Sequence, residues 1–247
     1  MAASTLINSQ IVVGSFDATT FTGSFDDAGT INMVESNVYG SGGFPRKYPG
    51  LRSYTNAIQG DADYAAGGIA AAFTPALLGT QQLVSIQPTG GTTAGDPSIF
   101  TQARLESINA PGGAHGEMAT FGMTFVSDSE KIYGQVAAPL AARTSTLTGT
   151  ALAMTGPTAT QRMWAGLHIT AVSGTTPTLV AKLQSATLVG FGSPTDRITF
   201  TSANAAGWQF AYVSGAITDG FWRAVLTIAG TTPSFTCSLV FGVTNVT

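Results

Sequence analysis

The stretch SIFTQARLESINAPGGAHGEMATFGMTFVSDS, residues 98–129, decides how the chain is read. Gln102, Arg104 and Glu106 fall on one face of an extended segment, and Thr120, Gly122 and Thr124 share a face of its partner. A period of two is the signature of a strand. The APGGAH between them supplies a Gly-rich turn, so the stretch reads as a β-hairpin. Outward from it, QQLVSIQP (81–88) is a preceding strand, and TNAIQGDADY (55–64) is a strand running into a turn. GGIAAAFTPALLG (67–79) is the one good helix candidate. Pro75 must break or restart it, which predicts one short helix, or two fragments, between residues 66 and 78. Asp26 and Asp27 are adjacent and read as turn residues.

Dense Thr, Gly and Pro with short alternating runs predict a mainly β chain. Only 9% of the 247 residues are charged, against roughly 25% in ordinary soluble domains. The 36 Thr and 20 Ser supply the solvation instead. A surface with so little charge suits a subunit that buries much of itself in an assembly. Net charge is −3, which gives no general reason to bind nucleic acid. The N-terminal residues have no signal-peptide pattern, and no apolar run is long enough to span a membrane as a helix.

Composition shifts near residue 144. Residues 1–143 hold 11 acids and 6 bases, while residues 144–247 hold 2 acids and 4 bases together with all three Trp. AARTSTLTGTALAMTGPTAT (141–160) has the small polar residues of a linker. Two domains are therefore expected, 1–143 and 144–247, with a boundary at about 143–150. The second contains an echo, VSGTTPTL from Val172 and IAGTTPSF from Ile228. These predict two hairpins with matching Gly/Pro turns. With DRITFT and WQFAYVS as further strands, a jelly-roll-like sandwich follows. Phe235, Cys237, Leu239 and Phe241 alternate as one buried face, so the single Cys is a packed thiol.

Catalytic and metal chemistry is sparse. His115 and His168 fall in different expected domains, and no G-x-S-x-G is present. Two His and one Cys make no zinc set, and the Asp61–Asp63 pair lacks the further oxygen ligands of a calcium loop. No enzyme activity, metal or cofactor is expected. Trp222 and Trp208 alternate with apolar neighbours and read as core. Trp164 is the surface candidate for a glycan contact.

GSGGFPRKYPGLRS, residues 40–53, holds three of the six basic residues of the first 143 on a Gly/Pro-stiffened loop. It is no phosphate loop, because Pro45 stands where a second Gly belongs and lacks the amide a phosphate would use. The ordered set NMVESNVYGSGGFPRKYPGLRS, YTNAIQGDADY, the helix at 66–78, LVSIQP and the 100–134 hairpin resembles the tail tube proteins (major tail proteins) of long-tailed bacteriophages, siphophage type. The C-terminal sandwich resembles accessory domains carried on the outside of such tubes. The resemblance implies a tail-tube-like β-sandwich or barrel domain whose strands join those of five neighbours into a homo-hexameric ring around a channel. Rings stack into a tube, and DNA passes through without specific binding. The tape measure protein and tail terminator are partners by the same analogy.

On this reading Phe44 and Tyr48 anchor the long loop on a neighbouring ring, while Arg46, Lys47 and Arg52 pair with its acids. Gln102, Arg104, Glu106, Thr120 and Thr124 become lumen-facing candidates. Arg104 is awkward there unless Glu106 or another acid balances it, since cations grip phosphate. The expected function is a structural virion protein made in the host cytoplasm. The alternative is a capsid decoration or carbohydrate-binding virion protein.

Overall fold

Strand alternation dominates the computed structural model, which describes residues 8–36, 46–112 and 115–245. The chain is mainly β and divides into two compact units. The first comprises residues up to Thr20, Gln81–Ala103 and Ser129 onward, and the second comprises Phe21–Thr80 and Arg104–Asp128.

In the first unit lie β1 (Gln10–Val13), β2 (Phe16–Asp17), β5 (Gln81–Gln87), β8 (Ile132–Arg143), β9 (Leu147–Thr148), β10 (Leu152–Ala153), β11 (Gln161–Ala186), β12 (Thr195–Thr199), β13 (Gly207–Ser214) and β14 (Phe221–Asn245). In the second lie β3 (Thr22–Ser36), β4 (Arg46–Asp61), α1 (Ile69–Ala72), a 3-10 turn (Pro75–Leu77) and β7 (Thr120–Ser127). Strand β6 (Pro97–Gly112) starts in the first unit and ends in the second.

The second unit is an antiparallel sheet in the order β3–β4–β7–β6. One face is apolar. Ile58 of β4, Leu105 of β6 and Phe121, Met123 and Phe125 of β7 are buried there, together with Ile69 and Phe73. Phe73 meets Phe125 edge to face, with ring centroids 6.5 Å apart. The helix expected at 66–78 is two fragments. Thr74, before Pro75, is held extended at φ −112° and ψ 161°, and the proline opens the 3-10 turn. Asp26 and Asp27 are strand residues rather than a turn, opposite Ala57 and Asn56 in β4. They point to opposite faces, Asp26 exposed and Asp27 half-buried. Pairing along a long hairpin overrides their local turn preference.

The first unit is built on one ribbon. β11 and β14 run antiparallel from Gln161↔Asn245 to Ala186↔Phe221. The two GTTP segments are not hairpin turns. They lie opposite each other in the middle of both strands, where the register shifts between Ser173 and Thr178. Thr176 and Thr232 take φ values of 47° and 48°, and Gly174 and Gly230 take 110° and 126°. Such irregularities bend a strand, and the ribbon turns back on itself there. Met163, Ala165, Leu167 and Ile169 before the bend then share a core with Leu179, Ala181 and Leu183 after it. Trp222, Ala224 and Leu226 meet Phe235, Cys237, Leu239 and Phe241 in the same way. The alternation of residues 235–241 is thus a buried face, as expected.

The expected linker is stitched into this layer. Leu147 and Thr148 pair with Leu226 and Val225, and Leu152 pairs with Trp222. The 143/144 position falls inside the first unit, because β14 also pairs with β8 from Phe235↔Arg143 to Gly242↔Gly134.

A Cβ at Gly174 would lie 2.5 Å from the Thr232 carbonyl oxygen, at a φ that side chains rarely adopt. Gly174→Ala is expected to lower the unfolding free energy by about 1–3 kcal/mol in urea titrations. Gly190→Ala, in open space, is expected to change it by less than about 0.5 kcal/mol.

Candidate functional site

The face of the second unit's sheet opposite its core is exposed and polar. On β3 it presents Ser24, Asp26 and Ala28; on β4 it presents Thr55, Ala57, Gln59 and Asp61. Thr120, Gly122 and Thr124 of β7 lie opposite Asp61, Gln59 and Ala57. Arg104 and Glu106 of β6 are exposed, on either side of buried Leu105. Arg104, Glu106, Thr120 and Thr124 lie on the non-core side. Gln102 belongs to the first unit, half-buried, with its amide donating to Gln81 Oε1 at 3.3 Å.

Among the described side chains, the cation on this face is neutralised. Arg104 Nη2 lies 2.9 Å from Asp128 Oδ2, and Nη1 donates to the Gly79 carbonyl at 2.9 Å. The balancing acid is Asp128 and not Glu106. Sequence alternation could not find it, because Asp128 sits beyond the end of β7 and a turn returns it to β6. With both partners partly solvated the pair adds little stability, but it removes a positive site. Asp26, Asp61 and Glu106 leave the face net acidic.

The expected contact loop is only partly a loop. Residues 46–53 belong to β4, paired with β3 from Ser36↔Arg46 onward. Phe44 lies outside the described residues, and so does the side chain of Arg46. Lys47 pairs with Glu35 of its own hairpin at 3.2 Å. Arg52 is exposed opposite Ile31. This hairpin displays apolar surface: Ile31, Met33 and Tyr48 are about half exposed and Leu51 is 86% exposed.

Trp164 is not a surface residue. It is 8% exposed, stacked on Phe210 at 4.9 Å and against Tyr212 at 4.6 Å. The neighbouring strand β13 pairs with β11 along this face and covers the indole. Trp222 is fully buried as expected, with its indole donating to the Met154 carbonyl at 3.0 Å, and Trp208 is half-buried. His115 is exposed in a turn. Asp63 accepts from the Ala65 amide at 2.8 Å, the local bond of a turn.

His168 and Ser85 form a hydrogen-bonded pair that the sequence did not reveal. The ring is fully buried, with Nδ1 2.7 Å from the Gly14 carbonyl and Nε2 2.8 Å from Ser85 Oγ. A carbonyl only accepts, so Nδ1 carries the proton and Nε2 accepts from the Ser85 hydroxyl. Gln87 in turn donates to Ser85 Oγ at 3.3 Å. Burial lowers the His168 pKa to about 4. A second network surrounds Asp219, which accepts from Ser185 at 2.6 Å, Thr187 at 3.0 Å and Arg197 at 2.9 Å. The Ser185 bond, followed by Arg197, holds this carboxyl below its usual range.

No protein-family model matches the sequence, and no curated protein matches it. Similar chains occur among solved structures. One comes from the virion of a native gene transfer agent particle, at 14% identity and TM-score 0.42, covering 53% of this chain and 98% of that one. Another comes from the sheath–tube complex of an extracellular contractile injection system in its extended state, at 14% identity and TM-score 0.41, covering 54% and 93%. The SPP1 Dit protein, from the hub adsorption apparatus of phages infecting Gram-positive bacteria, has 8% identity and TM-score 0.37, covering 96% and 99%.

The His168 shift sets an acid response. Between its unfolded value near 6.5 and its folded value near 4, the unfolded chain binds the proton that the folded chain refuses. Stability is therefore full above about pH 6.5 and falls, by on the order of 3 kcal/mol, as pH drops to about 4. Below that, protonation of Asp219 removes more, since its depressed pKa contributes stability only while the group is ionised. Urea unfolding from pH 7 to 4 is expected to show the first slope, and His168→Gln to flatten it. A slope unchanged in the variant would assign it elsewhere.

Proposed function

We propose that the chain is a structural virion protein of a phage tail tube, and that the open face of the second unit's sheet lines the channel. The observation that carries this is electrostatic. A wall along which DNA slides must offer phosphate no cation to hold, and among the described side chains the basic one on this face, Arg104, is cancelled by Asp128. Hydroxyls, amides and carboxylates make up most of the rest.

Edge chemistry supports the same reading. β3 is a long strand that pairs with β4 alone among the described residues. A bare edge of that length is an aggregation hazard unless a partner covers it. A neighbouring copy adding its strand would close the sheets into a ring, and six copies per ring follow from the sequence resemblance. The apolar β3–β4 hairpin is assigned to contacts with the next ring, with Tyr48 and Leu51 as anchors and exposed Arg52 as an ion-pair partner. Residues 144–247 are assigned to the outside of the tube. The tape measure protein and tail terminator are the proposed partners, and the protein, made in the host cytoplasm, acts in genome delivery from the virion tail.

Negative-stain microscopy of the purified chain with a tail initiator present is expected to show stacked rings. Leu51→Asp should keep the wild-type melting temperature, since Leu51 is 86% exposed, yet abolish stacking. Wild-type monomers under every assembly condition, together with absence of the protein from the tails of intact particles, would refute the assignment.

A further inference from the structure

Residues 144–247 contain four basic and two acidic side chains, and both acids are committed. Asp196 accepts from Lys182 at 2.6 Å and from Gln184 at 2.6 Å. Asp219 accepts from Arg197, Ser185 and Thr187. Among the described residues Arg162 and Arg223 have no carboxylate partner, and each lies over an aromatic ring. Arg223 covers Phe191 at 4.2 Å and still donates to Gln184 Oε1 at 3.0 Å.

Arg162 is different. Its guanidinium sits 4.4 Å from the Tyr212 ring centroid and 5.9 Å from that of Trp164, and its buried Nε lacks an acceptor. Two residues along β11, on the same face, the buried indole N–H of Trp164 lacks one as well. Two neighbouring unpartnered donors, one of them cationic, are costly as they stand. In a native fold such donors are met by water, an ion or a ligand.

The surroundings restrict what that acceptor is. Trp164 is stacked against Phe210 with an interplanar angle of 19°, and Tyr212 lies against its ring and beneath the guanidinium. The Trp164 ring is therefore closed to a stacked neutral sugar. What remains is the guanidinium fork, whose geometry matches a carboxylate. Half-exposed Tyr212 stands beside it, and Ser214 and Thr244 are the register partners of Arg162 on the flanking strands. Their hydroxyls suit a hydroxylated ligand.

We propose that Arg162, Trp164 and Tyr212 form a binding site for the carboxylate of an acidic saccharide. The site lies wholly within the first unit and does not rest on the tail-tube assignment.

Side-chain N–H spectra of the full ¹⁵N-labelled chain test it. Titration with D-glucuronate is expected to move the Arg162 Nε–H and Trp164 indole signals while leaving Trp222 in place. D-Glucose should move neither. Arg162→Gln and Arg162→Lys should each weaken the glucuronate response by about tenfold or more, because neither keeps the fork. Absence of any shift up to about 50 mM glucuronate, a range that reaches beyond millimolar dissociation constants, would overturn the proposal. So would an equal response to glucose, or an undiminished response in both variants when each melts at the wild-type temperature. Inorganic phosphate binding the same signals more tightly than glucuronate would overturn the carboxylate assignment.

Discussion

The first unit depends on one close approach of backbone to backbone. At the bend of the β11–β14 ribbon, Gly174 lies against the Thr231–Pro233 segment and Gly230 against Thr175–Pro177, each where a Cβ would meet a carbonyl oxygen. Two strands of this length cannot stay flat and bury one face. By folding across facing glycines they bring their own two halves together, so one ribbon supplies both layers of its core. Thr176 and Thr232 accept a left-handed backbone to allow this. A β-branched residue there is strained by on the order of 1–3 kcal/mol. The buried faces of both strands, Trp222 included, oppose that strain.

The fold-back also leaves the ribbon's other face available. There Trp164 and Val240 join Leu83, Phe100, Ile132 and Val136 in a second apolar cluster. Gly166 lies beneath Leu83, where a Cβ would come within 2.9 Å of its side chain. His168 enters this layer with partners, through Gly14 and Ser85. That arrangement ties the β1–β2 turn and β5 to β11, and makes the tie sensitive to protonation of one imidazole.

Strand identity was legible because alternation reports burial directly, as at Phe235–Phe241 and along β7. The break at Pro75 was legible because proline acts on its immediate neighbour. What escaped was non-local. GTTP reads as a turn in isolation, and only its twin in the paired strand converts it into a bend. Trp164 looked exposed because the strand that covers it is some 45 residues away in the chain, at Phe210 and Tyr212. The balance of Arg104 by Asp128 and the burial of His168 likewise depend on chain returns that no local pattern records.

Low charge makes each remaining ion consequential. Among the basic residues, Lys47, Arg104, Lys182 and Arg197 each meet a carboxylate. With four of the ten basic side chains paired in this way, long-range attraction to phosphate is weak wherever these pairs lie. Leu51, Ile31 and Met33 expose apolar surface on one hairpin. A surface built this way exerts little long-range pull on polyanions and leaves the hairpin's apolar side chains as its most exposed hydrophobic feature.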